Sequence, residues 1–187
     1  MERKYFMKRK RFLAVGIIAL LLCNLLAACA KQEPSLEEWE KAEIKRIKSY
    51  VGSGMYYDAQ GRSFQLIDEG LFEKPLVVHY WATRSPISVK GLDAFQEAYE
   101  KYGDEVQFLM INAFDGVSDT MEDAEELIRE KGYTFPVYYD RAQNLGKLMR
   151  VEQFPYTLFI GKKHRLEHVR NTQLTAEEIS QLIEEIR

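Results

Sequence analysis

Hydrophobic positions along the chain fall into two alternating patterns. Residues 77–81, 106–113 and 154–160 are short runs dense in apolar and β-branched side chains, the pattern of strands covered on both faces. Around them run helical stripes: Leu36, Trp39, Ile44, Ile47 and Val51; Leu92, Phe95 and Tyr99; Ala124, Leu127 and Ile128; Leu145, Leu148 and Met149; Ile179, Leu182, Ile183 and Ile186. Local chemistry punctuates these stripes. Ser35 with Glu38, and Thr175 with Glu178, have capping-box spacing. Thr120 caps and Gly132 ends the third stripe, and Pro86 suits a first helical turn. Gly52-Ser53-Gly54 breaks the first stripe. Residues 55–66 then read as a hairpin around Asp58-Ala59-Gln60-Gly61, with Phe64 and Leu66 inward. Residues 135–139 form a short extended piece, residues 142–151 a helix, and residues 165–169 a strand returning from a turn at 161–164. A helix between the strands at 77–81 and 106–113 requires parallel pairing. The pattern predicts an α/β domain with a parallel βαβ unit, an N-terminal hairpin and a helix at 120–132.

The first 28 residues stand outside this pattern. Arg3, Lys4, Lys8, Arg9, Lys10 and Arg11 precede an apolar stretch at 12–28 that ends Leu26-Ala27-Ala28-Cys29. That is the form of a secretory signal, its end similar to a bacterial lipobox in which the cysteine is lipidated. The expected organisation is a lipoprotein signal at 1–28, a lipidated N-terminus, linker and amphipathic helix at 29–54, and the domain at 55–187. Placement on the extracytoplasmic face of the cell membrane follows. Removing the leader also changes the charge. Six of the 26 basic and one of the 29 acidic residues lie in it, so 20 and 28 remain, a formal charge of −8. Such a surface disfavours nucleic acid, and attachment would rest on the lipid of Cys29 rather than on anionic headgroups. Both cysteines, Cys23 and Cys29, belong to the leader and its junction, so the mature domain has no free thiol.

The stretch Tyr80-Trp81-Ala82-Thr83, followed by Arg84-Ser85-Pro86-Ile87-Ser88 at a strand-to-helix junction, resembles the TlpA-like (ResA-like) membrane-anchored branch of the thioredoxin superfamily. That branch carries Phe-Trp-Ala-Thr-Trp-Cys-x-x-Cys here, so Ser85 and Ser88 occupy the positions of its redox cysteines. Phe154-Pro155-Tyr156-Thr157 resembles the segment around the branch's cis proline, with the threonine one place late. The resemblance spans residues 56–187. It implies a thioredoxin-like fold, a central mixed sheet flanked by helices with an N-terminal hairpin and an inserted helix at 120–132, together with a cis Pro155 and a surface where the residue before that proline, Phe154, pairs with an extended peptide. Trp81, Arg84, Pro86, Phe154, Pro155 and Tyr156 are the expected partner-binding residues.

Serine supports neither step of thiol–disulfide exchange, because its hydroxyl stays protonated far above neutral pH and does not attack disulfides. Ser85 and Ser88 read either as a natural loss of thiols or as isosteric replacements in an active enzyme. Arg84 and Ile87 also depart from the branch's Trp and Pro, which favours natural loss. A serine nucleophile would need an oriented base, and His79 lies within a buried strand. His164 and His168 fall on a turn and strand without a third ligand, so no metal is expected, and no cofactor motif is present. The leading expectation is a redox-inactive lipoprotein that binds an extracytoplasmic protein or peptide. The alternatives are a ResA-like oxidoreductase in disulfide reduction or cytochrome c maturation, and a small apolar ligand in the same groove.

Overall fold

The computed structural model describes residues 34–66, 74–141 and 143–187. The signal segment and Cys29 lie outside the described residues, as do residues 67–73 and Ala142. Two compact units divide the chain, Met1–Leu36 and Glu37–Arg187. All elements below lie in the second, apart from the first residue of α1. Among the described residues no helix is long and apolar enough to cross a membrane.

The helices are α1 (Leu36–Ile47), α2 (Pro86–Tyr102), α3 (Met121–Lys131), α4 (Asn144–Met149) and α5 (Ala176–Ile186). The strands are β1 (Met55–Tyr57), β2 (Ser63–Gln65), β3 (Leu76–Trp81), β4 (Gln107–Asn112), β5 (Val137–Tyr139), β6 (Tyr156–Gly161) and β7 (Arg165–Arg170). They form one sheet in the order β2-β1-β5-β4-β3-β6-β7. β3 pairs parallel to β4 and antiparallel to β6, and β4 pairs parallel to β5. The extended piece at 135–139 therefore becomes a sheet strand. The Tyr57–Tyr139 pair joins the hairpin to it.

Alternation explains why β3 is apolar at nearly every position. Leu76, Val78 and Tyr80 enter the core on one face, with Ile47, Leu145 and Met149. Val77 and Trp81 enter the other, under Leu92 and Phe95 of α2 and Ile179 and Ile183 of α5. His79 shares that second face, its ring 3.8 Å from that of Phe95. The starts of α3 and α5 are built as expected. Thr120 accepts the Asp123 N–H, and Thr175 and Glu178 complete their capping box. Gly132 ends α3 in the left-handed region at φ 70°, which glycine adopts without a Cβ penalty.

Helix α1 packs on the sheet rather than standing away from it. Ile47 is fully buried, worth about 2 kcal/mol, and Trp39 and Ile44 pack against the same cluster. Polar contacts set its register. The Tyr156 hydroxyl donates to Glu43 at 2.5 Å, and Arg46 donates to Glu43 and to the Met149 carbonyl. Burial alone would raise the Glu43 carboxyl; hydrogen bonds from Arg46 and Tyr156 reverse this and hold it below its usual range. Glu40 accepts the Val169 N–H of β7 at 2.9 Å and pairs with Arg170, shielding part of an exposed sheet edge.

Two sequence expectations are corrected in their extent. The first helix stops at Ile47 and continues as a turn into a short 3-10 segment, Val51–Ser53. The helix expected over 142–151 covers only Asn144–Met149. Gln143 and Arg150 flank it in the left-handed region at φ 50° and 51°, so the chain leaves helical geometry at both ends.

Candidate functional site

The register places the site. Tyr80, near the end of β3, lies opposite Tyr156, the first residue of β6. Trp81 lies beside Asn112, the last residue of β4. Three loops therefore leave the sheet at one end: residues 82–85, residues 113–120, and residues 150–155. The carboxyl ends of parallel strands are where α/β sheets place crevices.

Ser85 is the N-cap of α2. Its hydroxyl oxygen accepts the Ser88 N–H at 3.4 Å, and Pro86 begins the helix. Ser88 stands in a different setting. It is a helix residue, completely buried, and its Oγ has no hydrogen-bond partner among the described residues. A buried hydroxyl without a partner is costly. Ser88→Ala is expected to raise stability by about 1 kcal/mol, seen as a Tm about 2–4 °C higher in thermal unfolding; a lower Tm would mean that the hydroxyl is satisfied in solution.

Arg84 is held from two sides. Its Nη1 donates to Asp119 and, at 3.4 Å, to Asp115, and its guanidinium lies 5.2 Å from the centroid of the Phe154 ring. The Asp119 side chain is wholly buried. It also accepts the Thr83 N–H and hydroxyl, and the Asn112 amide at 3.4 Å. Asp115 accepts the N–H groups of Val117, Ser118 and Asp119 at 2.7–2.9 Å. Backbone hydrogen bonds, led by that from Asp119, together with the Arg84 charge hold its carboxyl below the usual range. Behind Phe154, 5.5 Å from its ring centroid, stands the Tyr80 ring. The Tyr80 hydroxyl donates to buried Asp140 at 2.9 Å, and burial together with that carboxylate raises the phenol well above its ordinary value. Asp140 also accepts the N–H groups of Asn144 and Gly146, which anchors α4. A Cβ at Gly146 would stand 2.6 Å from the Tyr80 hydroxyl, so the close approach requires glycine.

The Phe154–Pro155 bond is cis. The residues expected to face a partner separate into two sets. Arg84 and Pro86 are exposed, Phe154 is half-buried, and Ile87 beside them is 48% exposed. Trp81 and Tyr156 are 0% and 4% exposed, and Pro155 is buried. This corrects the expectation for Trp81 and Tyr156. Their side chains fill the interior, Trp81 under α2 and Tyr156 against α1, and offer no surface to a partner. Asp115, Asp119, Tyr80 and Asp140 were missed. The available signal was Arg84 itself: a cation where the resembling branch has Trp calls for a counter-charge, and 115–119 is the loop that supplies it.

Among the described residues neither Ser85 nor Ser88 is hydrogen-bonded to an imidazole or a carboxylate. The His79 Nδ1 meets the Thr157 hydroxyl at 3.0 Å, and burial pushes the imidazole down to about 3. Among the described residues no group of three His, Cys, Asp or Glu converges as a metal-ligand set.

A family model described as "AhpC/TSA family" matches residues 45–169. The chain is 25% identical over 185 residues to thiol-disulfide oxidoreductase ResA of Geobacillus thermodenitrificans (strain NG80-2), covering 97% of this chain and 99% of that protein. It is 24% identical over 110 residues to sporulation thiol-disulfide oxidoreductase A of Bacillus subtilis (strain 168), covering 58% of this chain and just under two thirds, 66%, of that protein. Among solved structures, MTB dsbF aligns with a TM-score of 0.63 at 17% identity, covering 73% of this chain and 97% of that one. The fold is thioredoxin-like.

Proposed function

The chain belongs to the AhpC/TSA family, and from that premise we propose that it is a membrane-anchored, extracytoplasmic thioredoxin-like lipoprotein that binds a partner protein or peptide without exchanging disulfides. The single observation carrying this reading is the state of the two serines. Ser85 caps α2 and Ser88 is sealed beneath it, at positions where the resembling branch holds its thiols. Neither serine can serve as thiolate or resolving group. The leader motif ending at Cys29 supports the anchor, and its polarity supports the extracytoplasmic face. Beside the cis proline, Arg84, Pro86, Ile87 and Phe154 remain exposed or half-exposed. They combine an aromatic ring, an aliphatic side chain and a guanidinium, a composition suited to recognition. An extended segment can pair with the backbone at Phe154.

The names of the curated relatives favour the alternative, thiol-disulfide oxidoreductase activity. The absence of a cysteine at 85 and 88 opposes it.

A photo-crosslinking residue in place of Ile87, with the protein expressed in its own membrane, tests the binding reading. The expected result is one discrete extracytoplasmic adduct, lost in Phe154→Ala and absent when the crosslinker replaces exposed Gln181 on α5. Equal capture from both positions, or an adduct indifferent to Phe154→Ala, would count against the groove.

A further inference from the structure

A cavity of ≈ 420 Å³ opens beside Phe154, between the Arg84 loop and α4. Its wall carries hydrogen-bond donors that have no partner among the described residues. Arg84 spends only Nη1 on Asp115 and Asp119; among the described residues its Nε and Nη2 have no partner. Lys147 and Arg150 line the same wall and are exposed. Neither makes an ion pair among the described residues. The carboxylates in the wall are Asp115, already committed to its own loop and to Arg84, and Glu152. A second cavity of ≈ 350 Å³ adjoins on the α1 side, sharing Arg150 and Glu152. There Arg46 is occupied by Glu43 and the Met149 carbonyl.

These cations are held in place by the fold. Buried Asp140 pins the first turn of α4 through the Asn144 and Gly146 N–H groups, and Lys147 follows directly. Arg150 ends that helix in the left-handed region at φ 51°, a conformation that glycine or asparagine adopts more readily. The surroundings stand in contrast: the chain after the leader carries a formal charge of −8.

We infer that the Arg84, Lys147 and Arg150 wall is a carboxylate subsite of the groove, and that the partner segment lying along Phe154 carries an Asp or Glu side chain into it. This rests on the proposed groove reading. A carboxylate matches the free edge of a guanidinium fork and the point charge of a lysine. The apolar and aromatic rim of Phe154 and Ile87, with the acidic surface beyond, suits a peptide and disfavours a polyanion.

A display library of random octapeptides, selected on the full-length protein in detergent micelles, provides the test. Wild type is expected to enrich Asp or Glu at one fixed position. A selected peptide, labelled and measured by fluorescence anisotropy, is expected to bind about fivefold or more tightly than its Gln-substituted version, the difference shrinking as salt is raised. The variant Lys147→Gln with Arg150→Asn, both exposed and the second tolerant of left-handed backbone, is expected to bind the two peptides equally. Enrichment without an acidic preference, or a preference unchanged in the double variant, would overturn the inference and leave the groove standing. No enrichment on wild type at all would overturn the inference and the groove reading together.

Discussion

Ser85→Cys combined with Ser88→Cys is expected to give a protein that exchanges thiols and disulfides. In an insulin-reduction assay wild type should show no rate above buffer, and the double variant a measurable turnover. The geometry is already in place. The first turn of a helix brings residues three apart within about 6 Å, inside the reach of a disulfide. Ser85 occupies the N-cap of α2 and leans over that turn to the Ser88 N–H. A thiol there would sit at the positive end of a 17-residue helix, which draws its pKa down from about 8.5. A thiol at the second position would be buried and would serve as the resolving group. Ser85→Cys alone should accumulate a mixed disulfide with glutathione, visible by mass, and not turn over. Turnover by wild type would remove the redox-inert reading. A folded but inactive double variant would remove the equivalence of 85 and 88 with a dithiol site.

Acidification should destabilise the protein through His79 before Glu43 and Asp115 titrate. The imidazole lies in the central strand against Phe95, and burial brings it from 6.5 down to about 3. Its folded value is depressed, so between those two pH values the unfolded chain binds the extra proton. Stability then falls with falling pH, by about 1.4 kcal/mol per unit. From pH 7 to 4.5 the loss should reach about 2–3 kcal/mol, measured by urea unfolding at constant ionic strength. Glu43 and Asp115 are held below their ordinary values of 4.5 and 3.8 and lose their contribution only at lower pH. His79→Leu with Thr157→Val removes the ring and the hydroxyl that would be orphaned with it. This variant should flatten the profile between pH 6.5 and 4.5; an unchanged slope would mean that the buried imidazole titrates near its ordinary value.

The elements of this domain were legible because their signals are local. Thr120, Thr175 with Glu178, Gly132 and Pro86 each act through the backbone within one turn. The run from Val77 to Trp81 announces a strand with no exposed face. The resemblance around Tyr80–Thr83 and Pro155 pointed to two junctions, which the sheet brings to one end. What escaped was the commitment of individual side chains. Trp81 and Tyr156 have the composition of recognition residues, yet their strand positions send them inward. Ser88 is as polar as Ser85, but one turn along α2 separates a capping hydroxyl from a sealed one. The pairing of Arg84 with Asp119 joins residues 35 positions apart, and nothing in either local sequence states it.

The sequence by itself determined the order of strands and helices, the strand-to-helix junction at 80–88, and the absence of a thiol from the domain. These depend on periodicity, capping and residue type, which act over a few residues. Only the tertiary structure decided which face of the site is exposed, where Arg84 finds its counter-charges, and that His79 packs against Phe95 in the core. It also decided that α1 is bound to the sheet through Glu43 and Tyr156. Each of these depends on burial and on contacts between distant segments. They come into being when β3, β4 and β6 align at one end and the loops that follow are brought together.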